Sequence, residues 1–189
     1  GLFPAGFDED GILFCNTSFG DYPARVPNGR WDPWKDPFTE WMLLSYKKLV
    51  TASSSLPGHE PALAVNENIR DYWSAASGAK GEWLQVDLGG VCTAYAVQIN
   101  FAEEGCDQYG REGEPLRHRY VLESSLDGHA WSQIVDKRSN EEDVPHDYVE
   151  FAAPLRARYF RIINEHMPAA GKFAISGLRL FGKGGGSAP

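Results

Sequence analysis

With 189 residues and a formal net charge of −8, the chain lacks the basic footprint that nucleic acid or an anionic membrane surface requires. Charged residues make up 23% and hydrophobic residues 42%, an ordinary globular balance, and no run of eighteen apolar residues is present to span a bilayer. A chain of this length buries about 70% of its unfolded surface, so it needs neither a metal nor a disulfide to fold.

The first element in chain order is a short apolar strand, Ile12–Phe14, inside "GFDEDGILFCNTSFGDYP". Next comes "RVPNGRWDPWKDPFTEWMLLSYKK", around Pro23, Pro27, Pro33 and Pro37. Four prolines so close together exclude a continuous helix or central strand. Its tryptophans and leucines are too apolar for a free linker, so residues 22–46 read as an extended segment packed on a neighbouring surface. The first residues read as the middle of something longer. "NTS" at Asn16 reads as incidental rather than as a glycosylation site.

Residues 49–182 read as one all-β unit. "WLQVDL" alternates strictly, with Leu84, Val86 and Leu88 on one face and Trp83, Gln85 and Asp87 on the other. "AYAVQINF" places Tyr95, Val97, Ile99 and Phe101 on one face. "RYVLESS" runs into "LDGHAW", where Asp127-Gly128 signals a hairpin turn. "DYVEFA", "ARYFRIIN" and "ISGLRLFG" supply further strands, with Phe160 and Ile162 inward. Short strands, turns and no amphipathic helix predict a sandwich. Residues 183–189 read as a flexible Gly/Ser linker towards a further domain; the GKGGG run lacks the context of a phosphate loop.

Three cysteines, Cys15, Cys92 and Cys106, form no CxxC pair, which argues against a zinc knuckle or a thioredoxin-type centre. An odd count leaves at least one free thiol. Cys92 reads as a small core residue, and spacing leaves a Cys92–Cys106 bridge open without arguing for it. Trp73 and Trp83 could stack on a sugar or fill the core; the structural role is the expectation for both.

As a set, Trp73-Ser74, "WLQVDLG" from Trp83 to Gly89, "SLDGHAW" from Ser125 to Trp131, "YFRI" from Tyr159 to Ile162 and "LRLFG" from Leu178 to Gly182 resemble the discoidin, or coagulation factor 5/8 type C, domain. The resemblance covers about residues 48–182. It implies an all-β, antiparallel jelly-roll sandwich, similar to galactose-binding domains, and glycan binding like that of family 32 carbohydrate-binding modules. Residues 1–48 resemble the end of the propeller of a family 43 glycoside hydrolase, a β-xylosidase or α-L-arabinofuranosidase. Other members of the discoidin family bind phospholipid or protein, so fold does not fix the ligand.

The resemblance also implies a structural calcium at the loop "ALAVNENIRDYWS". Here the loop offers Asn66, Asn68 and Asp71. Glu67 stands where the family has glycine, and Gly177 where it has an acid before the last strand. Two charges are lost and Glu67 with Asp71 could partly restore them, so calcium and a loop pinned by its own Asn/Asp bonds both remain open.

A glycan site is expected on loops at one end of the sandwich. The longest loop, Ala102 to Arg119, carries Asp107, Tyr109, Arg111 and His118, and the loop after "RIIN" adds Glu165 and His166. A sugar needs a flat apolar face, such as Tyr109, beside polar groups such as Arg111 or Asp107. No nucleophile–base pair, metal cluster or cofactor motif suggests that the fragment is itself an enzyme. The expected function is a non-catalytic module of a multidomain hydrolase, extracellular or periplasmic, binding plant polysaccharide and touching the propeller. The alternative is a spacer that packs on the propeller and binds no glycan.

Overall fold

The computed structural model describes residues 5–7, 13–15, 41–107 and 115–184. The strand expected at Ile12–Phe14 is β2 (Leu13–Cys15), paired antiparallel with β1 (Ala5–Phe7). The remaining strands are β3 (Met42–Leu43), β4 (Leu49–Ala52), β5 (Trp73–Ser74), β6 (Trp83–Phe101), β7 (Arg119–Ser125), β8 (Ser132–Asp136), β9 (His146–His166) and β10 (Ala174–Lys183). They pair in the order β3-β10-β6-β9-β7-β8, all antiparallel, with β4 on β6 and β5 on β10. Among the described residues the only helical elements are the short turns Pro61–Val65 and Pro168–Ala170. The all-β architecture expected from strand length and turn spacing, and the antiparallel pairing that the resemblance implies, are present.

One continuous ladder becomes a sandwich because its two longest strands turn a corner. The first part of β6, Trp83–Asp87, lies between β4 and Tyr159–Ile163 of β9. The second part lies between β10 and the opposite end of β9. Between them the ladder breaks from Asp87 to Cys92. Gly89 adopts φ 83 there, which glycine allows at no steric cost, and its N–H donates to Asp87 Oδ1 at 2.8 Å. Arg158 of β9 donates to both oxygens of the same carboxylate, at 2.7 and 2.8 Å. That guanidinium, against a smaller opposing effect of burial, holds the Asp87 carboxyl below the usual range. The Asp87–Gly89 stretch is therefore the pinned corner of a 19-residue strand.

Both limbs face one core. Leu84, Val86, Leu122, Phe160 and Ile162 from one side meet Val97, Ile99, Leu178 and Leu180 from the other. Alternation across Trp83–Leu88 is as expected, but Tyr95 departs from it. An irregularity in pairing between Ala94 and Ala96 changes the strand's parity, so Ala94 enters the core. Tyr95 instead stacks against Trp41, with ring centroids 4.8 Å apart. Cys92 is a buried core residue, and the bridge between Cys92 and Cys106 is not formed.

The sandwich reaches N-terminal of the boundary expected near residue 48. Leu43 pairs with Phe181, the Leu44 N–H donates to Leu180 O at 2.7 Å, and Ser45 Oγ accepts the Leu180 N–H at 3.1 Å. These bonds carry no compositional signature. Trp73 is fully buried, as expected of a scaffold residue. Trp83 is half-buried on the outer face, opposite Ile163.

Candidate functional site

At one end of the sandwich three separate segments close on one another: residues 75–82, 102–107 and 164–173. The Asp107 N–H donates to Ala169 O at 2.8 Å, and the Lys172 N–H donates to Glu104 O at 2.8 Å. The Phe173 N–H reaches Ser77 O at 3.1 Å. Gly78 and Gly171 let the backbones meet: a Cβ at Gly78 would lie 1.9 Å from Gly171 O, and one at Gly171 would lie 2.4 Å from Cys106 Sγ. Ala169 and Ala170, at φ 55 and 54, hold left-handed backbone that costs about 1–2 kcal/mol per residue without a glycine. Strain of this kind persists where surrounding contacts over-determine the loop.

Asn164, fully buried at the end of β9's ladder with β7, fastens the first segment. Its N–H donates to Glu82 O and its carbonyl accepts the Gly81 N–H, both at 2.8 Å. Its Nδ2 donates to Gly78 O and Ala79 O, both at 2.9 Å. Asn164→Ala strands two carbonyls and is expected to cost about 2 kcal/mol. Urea denaturation checks this; an unchanged midpoint would remove the residue's fastening role.

The neighbouring groups are paired. Glu82 accepts from Ser77 Oγ at 2.7 Å and Ser54 Oγ at 2.8 Å, and from Ser53 Oγ. Burial raises its carboxyl's pKa, but these hydroxyls offset that and leave it below the usual range. Tyr72 donates its hydroxyl to Glu104 Oε2 at 2.7 Å, which with burial raises the phenol, and its ring lies 4.2 Å from that of His59. Tyr72, Glu104 and His59 are candidates that sequence reasoning missed. They come from three distant segments, and no periodicity joins them.

Of the residues expected to bind a glycan, Tyr109 and Arg111 lie outside the described residues. Asp107 is exposed on the converging loop, and His166 is exposed where β9 faces Arg119 of β7. Glu165 is engaged with two cations, Lys80 Nζ at 2.5 Å and Arg138 Nε at 3.2 Å, and the Lys80 contact leads in holding its carboxyl below the usual range. His118 lies beneath the surface, 3% exposed, with its ring stacked 4.1 Å from Phe101. The structure thus brings the Asp107 and His166 segments to the same end. It ties Glu165 into an ion-pair network and places His118 in the interior, out of reach of a surface ligand.

The loop expected to hold calcium is also closed on itself. Asn66 Nδ2 and Asn68 Nδ2 both donate to Asp71 Oδ2 at 2.8 Å. Asn66 Oδ1 accepts the Asn68 N–H at 2.8 Å, and Asn68 Oδ1 accepts the Arg70 N–H at 3.2 Å. Both oxygens of Glu67 face Arg179 Nε, at 3.0 and 2.9 Å. A side chain at Gly177 would have to displace the Asn100 amide, since a Cβ there would lie 2.8 Å from Asn100 Nδ2. Calcium takes six to eight oxygens, typically several of them carboxylate. Among the described residues no group of three or more His, Cys, Asp or Glu could hold a metal, and Asn66, Asn68 and Asp71 as folded do not fit that ion.

Comparison with known proteins places this geometry. Residues 49–176 match the family described as F5/8 type C domain. Among solved structures, chitosan-binding module 2 of a chitosanase/glucanase from Paenibacillus sp. IK-5, in complex with chitotriose, is 20% identical with a TM-score of 0.60, over 75% of this chain and 99% of that one. CpGH89CBM32-4 of Clostridium perfringens, in complex with GlcNAc-alpha-1,4-galactose, is 14% identical with a TM-score of 0.60, over 76% and 96%. The CBM32 of AlyQ, in complex with 4,5-unsaturated mannuronic acid, is 20% identical with a TM-score of 0.56, over 71% and 95%. No curated protein matches the chain. At these identities the likeness establishes the sandwich fold.

Proposed function

The chain belongs to the F5/8 type C domain family, and from that premise we propose that it is a non-catalytic carbohydrate-binding module of a multidomain glycoside hydrolase. Its parent would be a family 43 xylosidase or arabinofuranosidase working outside the cytoplasm on plant polysaccharide. The module raises the effective concentration of polysaccharide near the catalytic domain and adds no chemistry of its own. The observation that carries the reading is the meeting of the two loops at one end, through the Asp107–Ala169 and Lys172–Glu104 main-chain bonds. Structural neighbours solved with chitotriose, GlcNAc-alpha-1,4-galactose and an unsaturated mannuronic acid support a glycan as the ligand class.

Affinity electrophoresis through xylan, arabinan and chitosan gels tests it. Retardation is expected in at least one gel. Tyr109→Ala and His166→Ala are each expected to weaken it by about tenfold, with thermal midpoints unchanged, as loss of a stacking or hydrogen-bonding contact predicts. Free migration in every gel would overturn the reading. It would leave the spacer alternative, which the Trp41–Tyr95 stack and the exposed Met42 and Tyr46 at the chain's entry favour.

A further inference from the structure

The loop that follows the Pro61–Val65 turn contains one residue in a conformation its side chain does not favour. Glu67 has φ 62, left-handed backbone where glycine is at ease. Yet its carboxylate is the group that reaches Arg179 on β10, through both oxygens, with the two side chains only 16% and 12% exposed. The contact joins residues 112 apart in sequence and ties the loop tip to the closing strand. On either side of Glu67, the amides of Asn66 and Asn68 turn their N–H groups onto Asp71. The loop's charges are therefore met from within the protein: a guanidinium answers Glu67, and two amides answer Asp71.

We propose that the Glu67–Arg179 ion pair takes the place of the calcium that the family resemblance leads one to expect, so that this domain orders its 66–71 loop without a metal. A half-buried carboxylate opposite a fixed cation needs no second cation, and a calcium ion approaching Glu67 would meet the Arg179 charge. Glycine at 177 completes the exchange: the acid expected before the last strand is absent, and the Asn100 amide lies against the position. The left-handed Glu67 is then explained as the backbone cost of placing a carboxylate where Arg179 can reach it.

Differential scanning fluorimetry on the whole chain tests this, with EDTA or millimolar calcium chloride as the probe. The wild-type midpoint is expected to agree within about 1 °C between the two conditions, because a ligand that does not bind shifts nothing. Arg179→Met and Glu67→Gln are each expected to lower it by roughly 5 °C, with no recovery in calcium. Glu67→Gly is expected to fall less than Glu67→Gln, because glycine relieves the backbone while both lose the charge. A calcium-induced rise in the wild-type midpoint of several degrees would overturn the proposal. So would a titration heat for calcium that Glu67→Gln abolishes, or an Arg179→Met variant as stable as wild type. If Arg179→Met does not fold, the two Glu67 variants decide: a Glu67→Gln midpoint equal to wild type sinks the proposal, and a fall that calcium leaves uncorrected supports it.

Discussion

Lowering the pH from 7.5 to 4.5 is expected to cost the fold about 2.5 kcal/mol through His118 alone, a fall in thermal midpoint of roughly 7 °C. The ring is 3% exposed and stacked on Phe101, and neither nitrogen has a hydrogen-bond partner. Burial pushes its pKa from 6.5 down to about 4; the Asp143 carboxylate and the Leu116 backbone pull it back only in part, and His166 adds to the depression. The sign follows from which state takes the proton. Above pH 6.5 the ring is neutral in both states and the full stability is present. As pH falls below 6.5 the unfolded chain binds a proton that the folded ring refuses until about pH 4, so stability drops by about 1.4 kcal/mol per unit across that window. Carboxyls with depressed values, Glu82, Asp87 and Glu165 among them, lose their contributions lower on the scale, as pH falls through the carboxylate range. His118→Phe keeps a ring against Phe101 and removes both the titration and a buried N–H without an acceptor. It is expected to flatten urea stability between pH 6.5 and 4.5 and to match or exceed wild type at neutral pH. A variant with the same slope as wild type would place the titration elsewhere.

His118 also marks a limit of what the sequence can disclose. Its neighbours in the chain, Arg117 and Arg119, are charged and pair with Glu141, which makes the stretch look like a solvated loop. Only the approach of Phe101, which lies far back on β6, reveals an interior position. The fold was more legible. Alternation in "WLQVDL" and the Asp127-Gly128 turn are local properties, and the structure has both: Leu84, Val86 and Leu88 are buried, and Gly128 sits at φ 79 between β7 and β8. Tyr95 misled because a single irregularity reverses parity, and register is a property of pairs of strands. The candidate site was legible as loops but not as side chains. Tyr72, His59 and Glu104 meet only after distant segments have come together, and the partner of Glu67, Arg179, lies more than a hundred residues away in the chain.

Trp73→Ala is expected to be the most destructive of these substitutions, costing about 4 kcal/mol, while Trp83→Ala costs about 1. The two tryptophans stand ten residues apart, yet the sheet treats them differently. Trp73 is fully buried, lies edge-on to Phe173 with centroids 5.4 Å apart, and donates Nε1–H to Ser54 O at 3.2 Å and Ser55 Oγ at 3.1 Å. It also carries the short strand that pairs with Ala174 and Ile175. Its removal opens a cavity and takes away two of the hydrogen bonds that hold the 53–55 segment. Trp73→Phe retains most of the volume and is expected to cost about 1–2 kcal/mol, chiefly the lost N–H bonds. Trp83 lies on the outer face and is only partly buried, so truncation forfeits less apolar burial than at Trp73. Urea unfolding of the three variants at pH 7.5 separates these costs. If Trp83→Ala proved the more damaging, the outer face around Ile163 would have to be buried in solution, and the module would be packing against a partner there.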